Sequence, residues 1–226
     1  DVLRKSIGGS ILVGCLIGYL QQGVGQYGWD CMNLIKVPYV NTSNITGLLF
    51  FIPAFVFTQQ VLNVQLICRK VSMYRQEQQS GLCNALSFGI ATFVSETPFS
   101  CAYAVLFGNL VYFIATLHLG YDNWQFYSSL LCCTAILGMM TAVSYAVLFR
   151  AEIAVRDLFL FTVFSMVLLS GFPFQLSTMN SDMAILSIIN PLRWTYEALM
   201  AWKFASGDFH DGNDYLLAFD FSNFST

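Results

Sequence analysis

Charge is what this sequence has least of. Asp, Glu, Lys and Arg supply 10% of its 226 residues, where a water-soluble globular domain draws about a quarter of its composition from them. With 56% hydrophobic residues, the chain carries more apolar surface than one water-soluble core can enclose, and this places it in lipid. No basic tract and no run of like charge occurs, which excludes nucleic acid as a partner, and a net charge of −3 says nothing further about partners. The phosphate-cradling loop Gly-x-x-x-x-Gly-Lys-Ser/Thr is absent, since none of Lys5, Lys36, Lys70 and Lys203 follows a glycine; these residues offer no nucleotide-phosphate site of that kind. Metal ligands are lacking too, because the cysteines are scattered without a Cys-x-x-Cys or a Cys/His cluster. Cys15, Cys68, Cys101, Cys132 and Cys133 sit in or beside apolar blocks and act there as small hydrophobes, leaving Cys31 as the thiol placed to reach an oxidising compartment. No small-residue cleavage site leads from the Arg4-Lys5 region into a soluble domain, so no signal peptide is expected.

Catalytic patterns are missing as well. His118 and Asp122 are separated by three residues, one short of an acyltransferase box. Tyr121-Asp122 lacks the second Gly-x-Gly-Asp of an intramembrane aspartyl protease, and no Gly-x-Ser-Gly elbow occurs. An intramembrane enzyme is therefore disfavoured, and no catalytic, cofactor or metal residue is assigned.

What the sequence does have is apolar blocks of bilayer-spanning length, the mark of an all-α polytopic membrane protein. Five spans are expected, at 7–24, 47–68, 98–119, 126–149 and 158–174. The first carries Gly14 and Gly18 in the small-xxx-small spacing that admits a close neighbour. Gln59, Gln60, Asn63 and Gln65 in the second are costly against lipid, so that side should face protein or water. The apolar stretch from Ala85 is too long for one straight helix with the third span, and a break is expected at Glu96-Thr97-Pro98. A short polar turn, 150–157, should join the last two spans as a hairpin. Beyond them, 175–226 reads as an outer segment: an interrupted apolar part that dips into the outer leaflet, then an acidic stretch with Asp208, Asp211, Asp214 and Asp220.

Orientation follows from the cations. Arg4, Lys5, Arg69, Lys70, Arg75, Arg150 and Arg156 fall on one side of this arrangement, and Lys36, Arg193 and Lys203 on the other, which makes the N-terminus cytoplasmic. Asn-x-Ser/Thr sequons at Asn41, Asn44 and Asn223 all fall on the outer side, where glycosylation occurs.

The order of parts then resembles the transmembrane domain of the G (White-type) subfamily of ATP-binding cassette transporters, the type-2 exporter fold. The likeness covers about residues 4–204 and rests on the first span at 4–19, Gly47-Leu48-Leu49-Phe50-Phe51 opening the second, and Tyr74-Arg75-Gln76-Glu77-Gln78-Gln79-Ser80-Gly81 as the aromatic-Arg-x-Glu…Gly loop. It also rests on Glu96-Thr97-Pro98, Ser170-Gly171, and Asn190-Pro191-Leu192-Arg193-Trp194 opening the outer re-entrant segment.

That resemblance implies six spans, so the chain looks like five of six, cut inside its last outer loop. It implies partners: membrane lipid, a nucleotide-binding domain on the same polypeptide that carries ATP and Mg, a second half-transporter in a homo- or heterodimer, and a hydrophobic or amphipathic substrate. Residues 69–84 become the coupling segment that rests on the nucleotide-binding domain, with Arg75 and Glu77 in it and Glu96 in a polar relay. An ordinary solvated loop and an interfacial carboxylate are the plainer alternatives. Phe55, Thr58 and Leu62 of span two, with Val163 and Val167 of span five, match substrate-cavity positions. Thr58 stands where drug exporters have a stacking aromatic, which counts against flat polyaromatic cargo. Phe172 and Pro173 match the outer gate, although a proline there also suits a helix end. The expected function is export of lipid, sterol or amphipathic molecules by alternating access. The alternative is an ATP-independent channel or secondary carrier, for which Glu96 is the one supporting residue.

Overall fold

The computed structural model describes residues 2–20, 39–81, 84–115, 117, 121–174 and 180–204. Every regular element among them is a helix: α1 (Val2–Leu20), α2 (Tyr39–Thr58), α3 (Val61–Gln79), α4 (Ala85–Ile114), α5 (Tyr121–Leu148), α6 (Glu152–Leu168), α7 (Ser181–Ile188) and α8 (Pro191–Phe204). Three stretches are long and apolar enough to cross a membrane by themselves, Asn44–Gln79, Ala85–Ile114 and Trp124–Leu148, and a shorter apolar helix covers Gly8–Leu20. Large apolar side chains such as Leu12, Leu86, Phe113, Phe161, Phe164 and Ile189 lie exposed on the surface. A soluble monomer does not tolerate that much exposed apolar area, whereas lipid does. Together with the spans, it makes the chain an integral membrane protein.

Two apolar clusters hold the helices together. One gathers Leu49, Ile52 and Val56 of α2, Phe107 and Val111 of α4, Tyr127 and Leu131 of α5, and Tyr196, Leu199 and Met200 of α8. The other gathers Val64, Ile67 and Val71 of α3, Ala142 and Ala146 of α5, and Val155 and Phe159 of α6. α5 belongs to both and is the post around which the bundle is built. Gly14 and Gly18 of α1 face α4: a methyl group on Gly18 would lie 2.7 Å from the Cβ of Ile114, and one on Gly14 would lie 3.2 Å from that of Leu110. The small-xxx-small face has thus found its neighbour.

Several boundaries differ from those the sequence suggested. The segment after Cys68 is not a loop, since α3 runs on through Arg69 and Lys70 to Gln79. With α2 it makes a stretch of 36 residues, about 54 Å at the helical rise, against a hydrocarbon core of about 30 Å. α4 is likewise unbroken from Ala85 to Ile114, with Pro98 inside it. Ser95 and Thr97 bond back to the carbonyls of Thr92 (3.2 Å) and Phe93 (2.7 Å) in the turn that precedes the proline, and membrane helices tolerate an internal proline. The turn before α6 is also shorter than expected, because Glu152 to Asp157 already form its first turns. A carboxylate at Glu152 suits the positive end of the helix dipole. Finally, Asn190-Pro191 is a helix start: the Asn190 side chain accepts from the backbone N–H of Leu192 at 3.0 Å, with proline in the first helical position.

Candidate functional site

The far end of α3 is bonded to two other helices by three neighbouring residues. Lys70 forms an ion pair with Glu96 of α4. Four residues on, Tyr74 stacks on Phe88 of α4 with ring centroids 4.1 Å apart and an 18° interplanar angle. Arg75 reaches the last turn of α5, donating to the carbonyls of Val147 at 2.8 Å and Ala146 at 3.2 Å. Those carbonyls have no helical N–H beyond them, and a guanidinium suits the negative end of the dipole. Glu77, Gln78 and Gln79 project outward, and Gly81, at φ 74°, turns the chain toward α4.

Glu96 is buried and has its partner in Lys70. The sequence shows that this carboxylate needs compensation but not who supplies it, because the two residues lie 26 apart on different helices. The grip of Arg75 on α5 was equally hidden, since its acceptors are backbone atoms that any residue provides.

A second polar centre lies where α2 passes into α3. Gln59, Gln60 and Asn63 are buried, as expected for amides that avoid lipid, whereas Gln65 points outward. Gln59 donates to Ser10 of α1. Gln60 Oε1 accepts from Asn63 Nδ2 at 3.0 Å and from Ser100 of α4 at 3.4 Å.

The residues matched to a cavity do not converge within one chain. Phe55 packs on Phe107 of α4, ring centroids 4.4 Å apart. Thr58 is half-buried, its hydroxyl bonded back to Ala54 O at 2.7 Å. Leu62 is 49% exposed. In α6, Val163 is only 6% exposed, in the cluster that Phe57 of α2 also joins, and Val167 packs half-buried against it.

At the opposite end, Phe172 and Pro173 lie past the end of α6, after Gly171 at φ 91°. Phe172 stacks on Phe50 (centroids 4.5 Å, 16°) and meets Tyr196 edge-on at 6.0 Å, while Pro173 is exposed. Behind this aromatic group α8 buries Glu197, whose Oε2 has no hydrogen-bond partner among the described residues. Burial pushes this carboxyl up from its ordinary range, and Arg193 pulls it partly back. Arg193 itself donates to Ser187 at 2.7 Å and lies over the Trp194 ring. Lys203, also buried, donates to Leu117 O just past α4. Of the sequons, Asn44 is exposed in α2; Asn223, the Asn41 side chain, His118 and Cys31 lie outside what is described.

Comparison with known proteins gives a consistent result. Residues 5–204 match the model of the family described as ABC-2 type transporter. The chain is 26% identical over 199 residues to human ATP-binding cassette sub-family G member 8, covering 86% of this chain and 27% of that protein. It is also 26% identical over 165 residues to the ABC multidrug transporter atrA of Aspergillus oryzae (strain ATCC 42149 / RIB 40), covering 69% of this chain and 11% of that one. The chain therefore spans only a minor part of the length of the curated relatives it matches.

Proposed function

The chain belongs to the ABC-2 type transporter family, and from that premise we propose that it is the membrane-spanning part of a G-subfamily, ATP-driven exporter. It pairs with a second half-transporter, as homo- or heterodimer, and moves lipid, sterol or amphipathic molecules outward by alternating access. ATP and Mg bind on a nucleotide-binding domain elsewhere in the same polypeptide. The N-terminus and the far end of α3 are cytoplasmic, and Asn41, Asn44 and Asn223 are glycosylated on the other side.

The observation that carries this reading is the bonded end of α3. A helix that outruns the bilayer and is fastened to α4 by Lys70 and Tyr74, and to α5 by Arg75, is built to pass a push from outside the membrane into three spans at once. Glu77, exposed at its tip, faces the nucleotide-binding domain, and Glu96 relays through Lys70. The cavity lies between Phe55, Thr58 and Leu62 of one chain and Val163 and Val167 of its partner. Its largely apolar wall fits apolar or amphipathic cargo better than ions. Phe172, locked between Phe50 and Tyr196, closes the outer end, with Pro173 fixing the turn. An ion-pathway role for Glu96 in a channel or secondary carrier is less favoured, because Lys70 already compensates its charge.

ATP hydrolysis and transport by the full-length protein in lipid vesicles provide the test. Transport that requires ATP, with substrate-stimulated hydrolysis reduced by Glu77→Ala, is the expected result. Transport that persists without ATP would establish the channel or carrier instead, and full stimulated turnover in Glu77→Ala would remove the coupling role of α3.

A further inference from the structure

We propose that the turn at Gln59-Gln60 is the joint of the long second span, and that Gln60 is the positioning residue that sets its angle. The inference rests on the exporter reading above and adds the place where that span changes shape. Three observations carry it.

The backbone tightens locally. Gln59 N still bonds Phe55 O at 2.9 Å, four residues back, but Gln60 N bonds Phe57 O (3.2 Å), Leu62 N bonds Gln59 O (3.1 Å) and Asn63 N bonds Gln60 O (2.9 Å). Bonds three residues apart inside a long helix mark a hinge or strain. Neither glycine nor proline occurs between Thr58 and Asn63, so the side chains must stabilise the turn.

Those side chains form a buried amide cluster shared by three helices. Gln60, 1% exposed, holds Asn63 of α3 and Ser100 of α4 on one oxygen, while Gln59 holds Ser10 of α1. Unpaired amides in an apolar interior are costly, so an apolar span would be the simpler solution. Amides both donate and accept, however, and can pair again with backbone groups as a turn opens or closes. α5 accommodates them with Gly138, where a methyl group would come within 3.0 Å of Gln60 Cγ and 3.4 Å of Phe57 O.

The two halves also differ in company. Most of α2 packs in the cluster with α4 and α8, and α3 in the cluster with α6; α5 is shared by both, and Phe57 at the end of α2 already reaches into the second, where it stacks on Phe159 of α6. The turn thus lies where one cluster passes into the other, so an angular change there would carry α3 with the second cluster while most of α2 stays in the first.

The experiment uses the full-length protein in nanodiscs, with spin labels introduced as genetically encoded amino acids. One pair spans the joint, at the exposed positions Phe51 and Met73; a control pair, Leu86 and Leu106, lies within unbroken α4. The distance across the joint is expected to change between the nucleotide-free and nucleotide-trapped states while the control stays constant. Gln60→Leu should abolish the change and lower transport per ATP about tenfold, a factor equivalent to losing about one net buried hydrogen bond. Ser100→Ala, which removes one contact and little volume, should shift both in the same direction by less, so a folding defect in the leucine variant does not decide the matter. An unchanged distance across the joint in a protein that transports with ATP overturns the joint alone, as does wild-type coupling in both variants. Transport without ATP overturns the exporter reading, and the joint is then judged on the distances.

Discussion

At the scale of single residues, the ion pair of Lys70 and Glu96 and the lone carboxyl of Glu197 are opposite solutions to one problem, a charge out of water. Removing one partner of the pair strands the other. Lys70→Ala is expected to destabilise the full-length protein by about 1–3 kcal/mol, with the half-exposed lysine discounted for screening. Lys70→Ala with Glu96→Ala should recover most of that loss. A denaturation cycle over the four proteins checks it, and purely additive losses would show that the pair has no coupling energy.

Glu197 has no such partner, and its proton is held more tightly folded than unfolded. Its contribution to stability is therefore fully present below its ordinary value of 4.5 and is lost as pH rises through the higher folded value. Melting temperature should decline across that window and the decline should flatten in Glu197→Gln. A variant whose slope matches the wild type would assign the decline to another group.

At the scale of elements, two helix contacts make specific demands. Gly18 lets α1 lie directly on Ile114, so Gly18→Ile forces the two apart and should cost about 1–3 kcal/mol by overpacking, read as a drop in melting temperature. A stable Gly18→Ile protein would mean that α1 is not held against α4. Arg75 closes the last turn of α5. Arg75→Ala should speed proteolysis in the turn 149–151 before α6, and Arg75→Lys, lacking the fork that reaches two carbonyls, should restore protection only partly. Equal cleavage in all three proteins would remove the cap. The existence of these helices was legible in the apolar blocks, but their ends were not. Pro98 reads as a break because a proline deletes a backbone donor, yet α4 continues through it, because one lost bond is small against the packing of a 30-residue helix on both α1 and α5. Residues 69–79 read as a loop because they are polar, although polarity there marks only where a helix leaves the apolar environment. The partners of Glu96 and Arg75 depended on which helices meet, and periodicity in one segment does not specify that.

At the scale of the whole molecule, topology is the strongest outstanding claim. With the N-terminus cytoplasmic, Asn44→Gln should lower the apparent mass of the protein made in a glycosylating cell by one glycan. A cysteine placed at Arg150 in the turn before α6 should react with an impermeant maleimide only after the membrane is opened. Labelling of intact cells at that site would invert the topology. The membrane class and family were legible from composition and the order of short motifs, and the family match over residues 5–204 agrees with both. Cavity residues such as Leu62 and Val163 were legible only as matched positions, because periodicity within a helix does not specify what its faces meet.

The break at Gln59-Gln60 also sets a mechanical ratio. α3 is 19 residues long, about 29 Å at the helical rise, so a tilt of roughly 10° moves its tip by about 5 Å. Thr58, next to the pivot, moves by less than about 1 Å for the same tilt. The helix thus acts as a reduction gear: wide travel at its tip becomes a small, forceful displacement beside the proposed cargo, where sub-ångström changes in fit decide whether a molecule is held or released.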